Sequence, residues 1–124
     1  MENIISEENL FDRLGGAEGI DRLVDDIWAN HTSNPKIKQR YQASDPVAVK
    51  QKVREFMHAG FGGTLEYTGQ DMLTAHTGMN ISDEEFVAVC DDVLAACDKN
   101  NVGERERAEV LVALYSMKND IVGV

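Results

Sequence analysis

The sequence has no apolar run long enough to cross a bilayer, and its opening residues, Met1 to Glu8, show no basic patch followed by an apolar stretch. Neither a membrane span nor a secretory leader is expected. Basic residues are scarce, with 12 Lys and Arg against 22 Asp and Glu and a net charge of −10. Such a surface repels phosphate backbones and anionic lipid, so nucleic acid and membranes are not expected partners. Cysteine is limited to Cys90 and Cys97, with no CxxC pair. Seven residues apart on a helix, they stand about 10.5 Å from each other, too far for a disulfide. The pattern also suits neither zinc nor covalent attachment of a cofactor, and both read as buried small apolar residues. With 124 residues the chain reads as one soluble, cytoplasmic domain spanning residues 1–124.

Sustained two-residue alternation with hairpin turn pairs is missing too, as are internal repeats and low-complexity segments. What is present is helical periodicity, which makes the chain all-α. A short first helix over 8–14 is ended by Gly15-Gly16, after which Ile20, Leu23, Val24, Ile27 and Trp28 recur at helical steps. The two prolines act as punctuation. Asn34-Pro35 ends that second helix and opens a single turn, while Asp45-Pro46 is an N-cap followed by proline at the first helical position. The helix so opened runs to Phe61 and stops at Gly62-Gly63. Ser82 and Glu85 form a capping box for a helix carrying Phe86, Val89, Cys90, Val93, Leu94 and Cys97. A final helix is expected over 104–122, with Ala108, Leu111, Val112, Leu114, Tyr115 and Ile121. Between Gly63 and Ser82 the pattern is weakest, with only a short helical possibility at 70–77.

That weak segment holds His76, an imidazole in the stretch Met72-Leu73-Thr74-Ala75-His76-Thr77-Gly78-Met79. A lone histidine is ordinarily structural, but this one follows Leu10-Phe11-Asp12-Arg13-Leu14-Gly15-Gly16, Phe61-Gly62-Gly63 and Tyr67-Thr68-Gly69 in register. In this order and at these spacings the chain resembles a group I truncated haemoglobin over roughly residues 9 to 122. The resemblance implies a truncated globin-like two-over-two helical sandwich around a non-covalently held haem b. It also implies His76 as the proximal iron ligand and the two glycine pairs as hinges between helices. The Nδ1–H of His76 then needs an acceptor, such as a nearby backbone carbonyl.

Met72, Ile81, Phe86, Val89 and Leu114 match positions that line the haem in this family, and they are also ordinary core candidates. On the distal side the sequence departs from the family pattern. Trp28 stands where a tyrosine is usual, Val49 and Val53 occupy the distal helix positions, and Tyr41 takes a place usually held by phenylalanine. Each of Trp28 and Tyr41 can give a bound ligand one hydrogen bond, worth about 0.5–1.5 kcal/mol net. Val49, Val53 and Phe56 form an apolar stripe with Lys52 on its edge. At this position some relatives carry a histidine or lysine that ligates the iron. For a lysine, giving up its proton at pH 7 costs roughly 4.6 kcal/mol, and a solvated or propionate-paired Lys52 is the competing reading. His31, near a helix end, is expected to be partly exposed, and His58 matches no ligand position; neither is assigned a function.

The leading functional expectation is a haem protein that binds oxygen and nitric oxide, with nitric oxide dioxygenase-type detoxification supported by an electron-donating reductase. A six-coordinate haem protein for electron transfer or redox protection, with Lys52 as sixth ligand, is the alternative. A cofactor-free acidic interaction protein is a third class, but it leaves the order of the motifs unexplained. No acid–base pair suited to peroxide cleavage is evident.

Overall fold

The computed structural model describes residues 8–124, and the reading of the opening residues as no leader lies largely outside them. Seven α-helices are found among the described residues: α1 Leu10–Arg13, α2 Gly16–Ser33, α3 Pro46–Phe61, α4 Met72–His76, α5 Asp83–Lys99, α6 Glu104–Ser116 and α7 Lys118–Ile121. A 3₁₀ turn, Lys38–Tyr41, bridges α2 and α3. Two helix pairs, α2 with α3 and α5 with α6, are stacked through α2 on α5, the two-over-two arrangement that the resemblance implies. No helix among the described residues is long and apolar enough to cross a membrane.

Local chemistry sets most boundaries. The Asp45 carboxylate accepts the Val47 amide at 3.2 Å while Pro46 opens α3. Ser82 and Glu85 exchange both capping-box hydrogen bonds at the start of α5. Asp71 accepts the Thr74 amide and so starts α4. Asn9 caps α1 through Asp12 N and donates from Nδ2 to the Gly62 carbonyl at 3.0 Å, tying the chain's first turn to the end of α3. Gly62 ends α3 at φ +100°, and a Cβ there would meet Asn9 Nδ2 at 2.5 Å. Arg13 forks onto Glu106 and Glu109 at 2.5–2.9 Å and fastens α1 to α6.

Ile20, Leu23, Val24 and Ile27 of α2 meet Val93, Ala96 and Cys97 of α5, with Met57 and Val110 closing the core. Cys90 and Cys97 are buried free thiols, as expected, and burial raises the pKa of each.

Three expectations need correction. The final helix is not continuous over 104–122. It breaks at Met117, because the chain turns so that Val122 bridges Ile81, Gly123 N donates to Ile81 O at 2.9 Å and Asn80 N donates to Val124 O at 3.0 Å. Val112 lies outward, 70% exposed, on the face of α6 away from the core. His31 is buried rather than partly exposed, for a reason described below.

Candidate functional site

Two cavities open between the helix pairs, of about 530 and 420 Å³, within the range of small-molecule sites. They share Tyr41, Val49, Val53, Val89 and Leu114. His76, Met72, Ile81, Phe86 and Lys52 line the larger. Trp28 and Phe56 line the smaller. All twelve residues singled out from the sequence therefore line one or both of these cavities.

On the α4 wall, His76 Nδ1–H faces the Met72 carbonyl at 2.8 Å, one helical turn back. The hydrogen bond fixes the tautomer, leaving Nε2 as the lone-pair nitrogen for an external electrophile. No group of three or more His, Cys, Asp or Glu side chains suited to a bare metal ion occurs among the described residues. A single imidazole over an apolar cavity instead suits a metal that brings its own equatorial ligands, as haem iron does.

The opposite chemistry gathers around Tyr41. Its ring stacks on His31 at 5.4 Å and 10°, and the Trp28 indole meets it edge-on at 5.6 Å. Neither the Tyr41 hydroxyl nor the Trp28 Nε1–H has a hydrogen-bond partner among the described residues. Burial raises the tyrosine's pKa, so its hydroxyl stays a donor.

His31 is the residue that sequence reasoning missed. Its Nδ1 lies 2.8 Å from Asp92 Oδ2, and Asn34 Nδ2 donates to both oxygens of that carboxylate at 3.1 and 3.2 Å. Asn30 Nδ2 donates to the Asp92 carbonyl at 2.9 Å. Burial pulls the imidazole's pKa down while Asp92 pushes it back up, and burial wins. No spacing rule brings together residues 61 apart. A hydrogen-bonded His31–Asp92 pair, with His31 on its wall, thus stands beside the smaller cavity.

The Arg40–Glu85 pair also escaped detection, because the sequence shows Glu85 only as half of a capping box. The two side chains form a two-pronged pair at 2.7 and 2.9 Å, and Arg40 Nη1 donates to the Met79 carbonyl at 3.1 Å. The pair sits on the rim of the larger cavity and ties the 3₁₀ turn to the start of α5. Arg40 holds the Glu85 carboxyl down to about 2, helped by the Ser82 amide. Ile37, Tyr67 and Met79 complete that wall; they lie in stretches with no amphipathic period to announce them.

His58 is structural. Its ring packs on Phe11 at 4.6 Å, and it accepts a long 3.4 Å contact from the Leu65 amide. A Cβ on Gly63 would meet His58 Nδ1 at 2.5 Å and the Phe11 ring at 2.7 Å. Gly63 therefore permits close packing of His58 and Phe11 just past the end of α3.

Lys52 does not reach across the cavity in this structure. Its Nζ donates to Thr68 Oγ1 at 2.5 Å and stands 3.8 Å from Glu55 Oε1, with half of the side chain exposed.

Residues 9–122 match the model of the bacterial-like globin family. A group 1 truncated haemoglobin of Synechocystis is 30% identical over 105 residues, covering 82% of this chain and 85% of that protein. The group 1 truncated haemoglobin LI410 of Chlamydomonas moewusii is 25% identical and covers 94% of this chain and 69% of its own length. In fold, the chain matches the Fe(III) truncated haemoglobin of Tetrahymena pyriformis with a TM-score of 0.91 at 20% identity, over 94% of this chain and all of that one. A Synechococcus 2/2 haemoglobin in the cyanomet state, with covalently attached haem, matches at 0.87 and 24% identity, over 93% and 98% of the two chains.

Proposed function

Because this chain belongs to the bacterial-like globins, and among them to the group 1 truncated haemoglobins, we propose that it binds oxygen and nitric oxide at a five-coordinate haem and converts nitric oxide to nitrate with a reductase's help. When bound, haem supplies the iron at which the two gases react. His76 Nε2 holds that iron, and Met72 O keeps the imidazole in the ligating tautomer. Met72, Ile81 and Phe86 supply apolar contact on the larger cavity. Val49 and Val53 line both cavities and give the distal helix an apolar surface there.

The observation that carries this reading is a pair of unclaimed donors: Tyr41 O–H, on the wall shared with the cavity that His76 lines, and Trp28 Nε1–H, in the smaller cavity beside it. They replace the hydrogen bonds that Val49 and Val53 cannot give. The engagement of Lys52 by Thr68 and Glu55 favours an open sixth position over the electron-transfer alternative. Non-covalent retention is supported by the cysteines, neither of which lines either cavity.

Visible spectra of the haem-reconstituted protein, ferric and ferrous, test the reading. A high-spin ferric spectrum is expected, with loss of haem retention in His76→Ala. Rapid mixing of the oxygenated protein with nitric oxide should then yield stoichiometric nitrate. Haem uptake unaffected by His76→Ala, or no nitrate above the free-solution reaction, would overturn it.

A further inference from the structure

Lys52 lines the same cavity as His76, yet its ammonium is held to one side by a small polar network. Thr68 Oγ1 accepts from Lys52 Nζ at 2.5 Å and donates its own proton to Glu55 Oε1 at 2.6 Å. The Thr68 amide donates to that same oxygen at 3.0 Å, and Gln51 Nε2 donates to the other at 3.1 Å. The Glu55 side chain is only 11% exposed, so its charge must be satisfied within the protein. The donors leave it firmly ionised, its pKa lowered to about 2 with the Thr68 hydroxyl as first cause.

The consequence for Lys52 is positional. An amine ligates a metal through its nitrogen, and the bond to the Thr68 hydroxyl, with Glu55 3.8 Å away, holds that nitrogen against the loop. Thr68 comes from the irregular stretch between α3 and α4, so its position is set by its two bonds to Glu55 rather than by a helix. Removing the Thr68 hydroxyl takes away the only hydrogen-bond acceptor of Nζ found among the described residues and leaves a flexible lysine on a cavity wall.

We propose that Thr68 and Glu55 are positioning residues that park Lys52 beside the cavity and keep the sixth iron position free. Without this latch Lys52 ligates the iron and competes with external ligands. The inference rests on His76 holding haem as proposed above, and it adds a determinant of coordination number on the loop, away from the helices that carry the ligands.

The experiment compares ferric spectra and azide affinities of the reconstituted wild type, Thr68→Val, Thr68→Ser and Thr68→Val/Lys52→Met. The wild type should be high-spin. Thr68→Val should gain low-spin bands and bind azide about tenfold more weakly, as expected if lysine fills the site nine-tenths of the time. Thr68→Ser should behave as wild type, and the double variant should return to high-spin with azide affinity restored. A merely structural role for Thr68 would not be reversed by changing Lys52. If Thr68→Val fails to fold, Glu55→Gln replaces it, with the same expectation and the same Lys52→Met reversal. A high-spin Thr68→Val, a low-spin double variant, or a wild type already low-spin through Lys52 each overturns the latch. Failure to take up haem at all defeats the underlying reading instead, and spectra distinguish the two cases.

Discussion

Changing Tyr41 to Phe removes one oxygen atom from the site and little else. The ring keeps its stack on His31 at 5.4 Å and its edge contact with Trp28 at 5.6 Å, so the surroundings have no reason to collapse. In the unliganded protein the hydroxyl has no described partner, and deleting it should leave folding stability unchanged or slightly higher, because an unpaired polar group is no longer withdrawn from water. With a diatomic ligand present the same hydroxyl donates a hydrogen bond worth about 0.5–1.5 kcal/mol net. Divided by RT near 0.59 kcal/mol, this corresponds to oxygen leaving roughly 2- to 13-fold faster. Stopped-flow displacement of oxygen by carbon monoxide, beside urea denaturation of the same protein, measures both quantities. Trp28→Phe run in parallel assigns the donor, since whichever variant loses oxygen faster carried the bond. Dissociation rates within error of wild type in both variants would show that neither side chain stabilises the ligand, and the proposed distal chemistry would fail.

Acid should weaken the fold in two stages. His31 has a lowered pKa, so the unfolded chain takes up a proton first and stability begins to fall as pH drops below about 6.5. Glu55 and Glu85, held near 2 against an ordinary 4.5, contribute stability that is full above the ordinary carboxylate range and lost as pH falls from there towards 2. Denaturation series at successive pH values should show both stages, and a fold that strengthens between pH 7 and 5 would contradict the burial of His31. Gly63→Ala should cost about 1–3 kcal/mol through overpacking against His58 and Phe11; a neutral result in thermal melts would mean that the loop yields freely. Haem should be extracted completely into acidified butanone, and pigment left on the polypeptide would establish a covalent link.

The helices were legible because their signals are local. Asp45-Pro46, Ser82 with Glu85, and the α2 stripe each declare themselves within a few residues. The cavity walls were legible through the resemblance, which carried Met72, Ile81 and Phe86 into place alongside His76. What escaped depends on contacts between distant segments. His31 reads as a partly exposed residue near a helix end because nothing near it in sequence announces Asp92, and Arg40 draws no notice because its partner Glu85 lies 45 residues away. The break at Met117 was hidden for the same reason, since α6 stops where Val122 is drawn back to Ile81 and not where helix propensity fails.

That last contact bears on when the protein can become functional during synthesis. α7 packs on α4, and residues 122–124 pair with 80 and 81, a few positions beyond the histidine proposed to hold the iron. Chains are made from the N-terminus, so the α2–α3 pair and its apolar interior can assemble while later residues are still being added. The histidine wall cannot. It waits for residues more than forty positions downstream, which makes cofactor capture a late event and leaves an open, apolar, cofactor-free intermediate on the nascent chain. After release from the ribosome, a chain ending shortly before residue 118 should accordingly fail to retain haem that the chain through residue 124 holds.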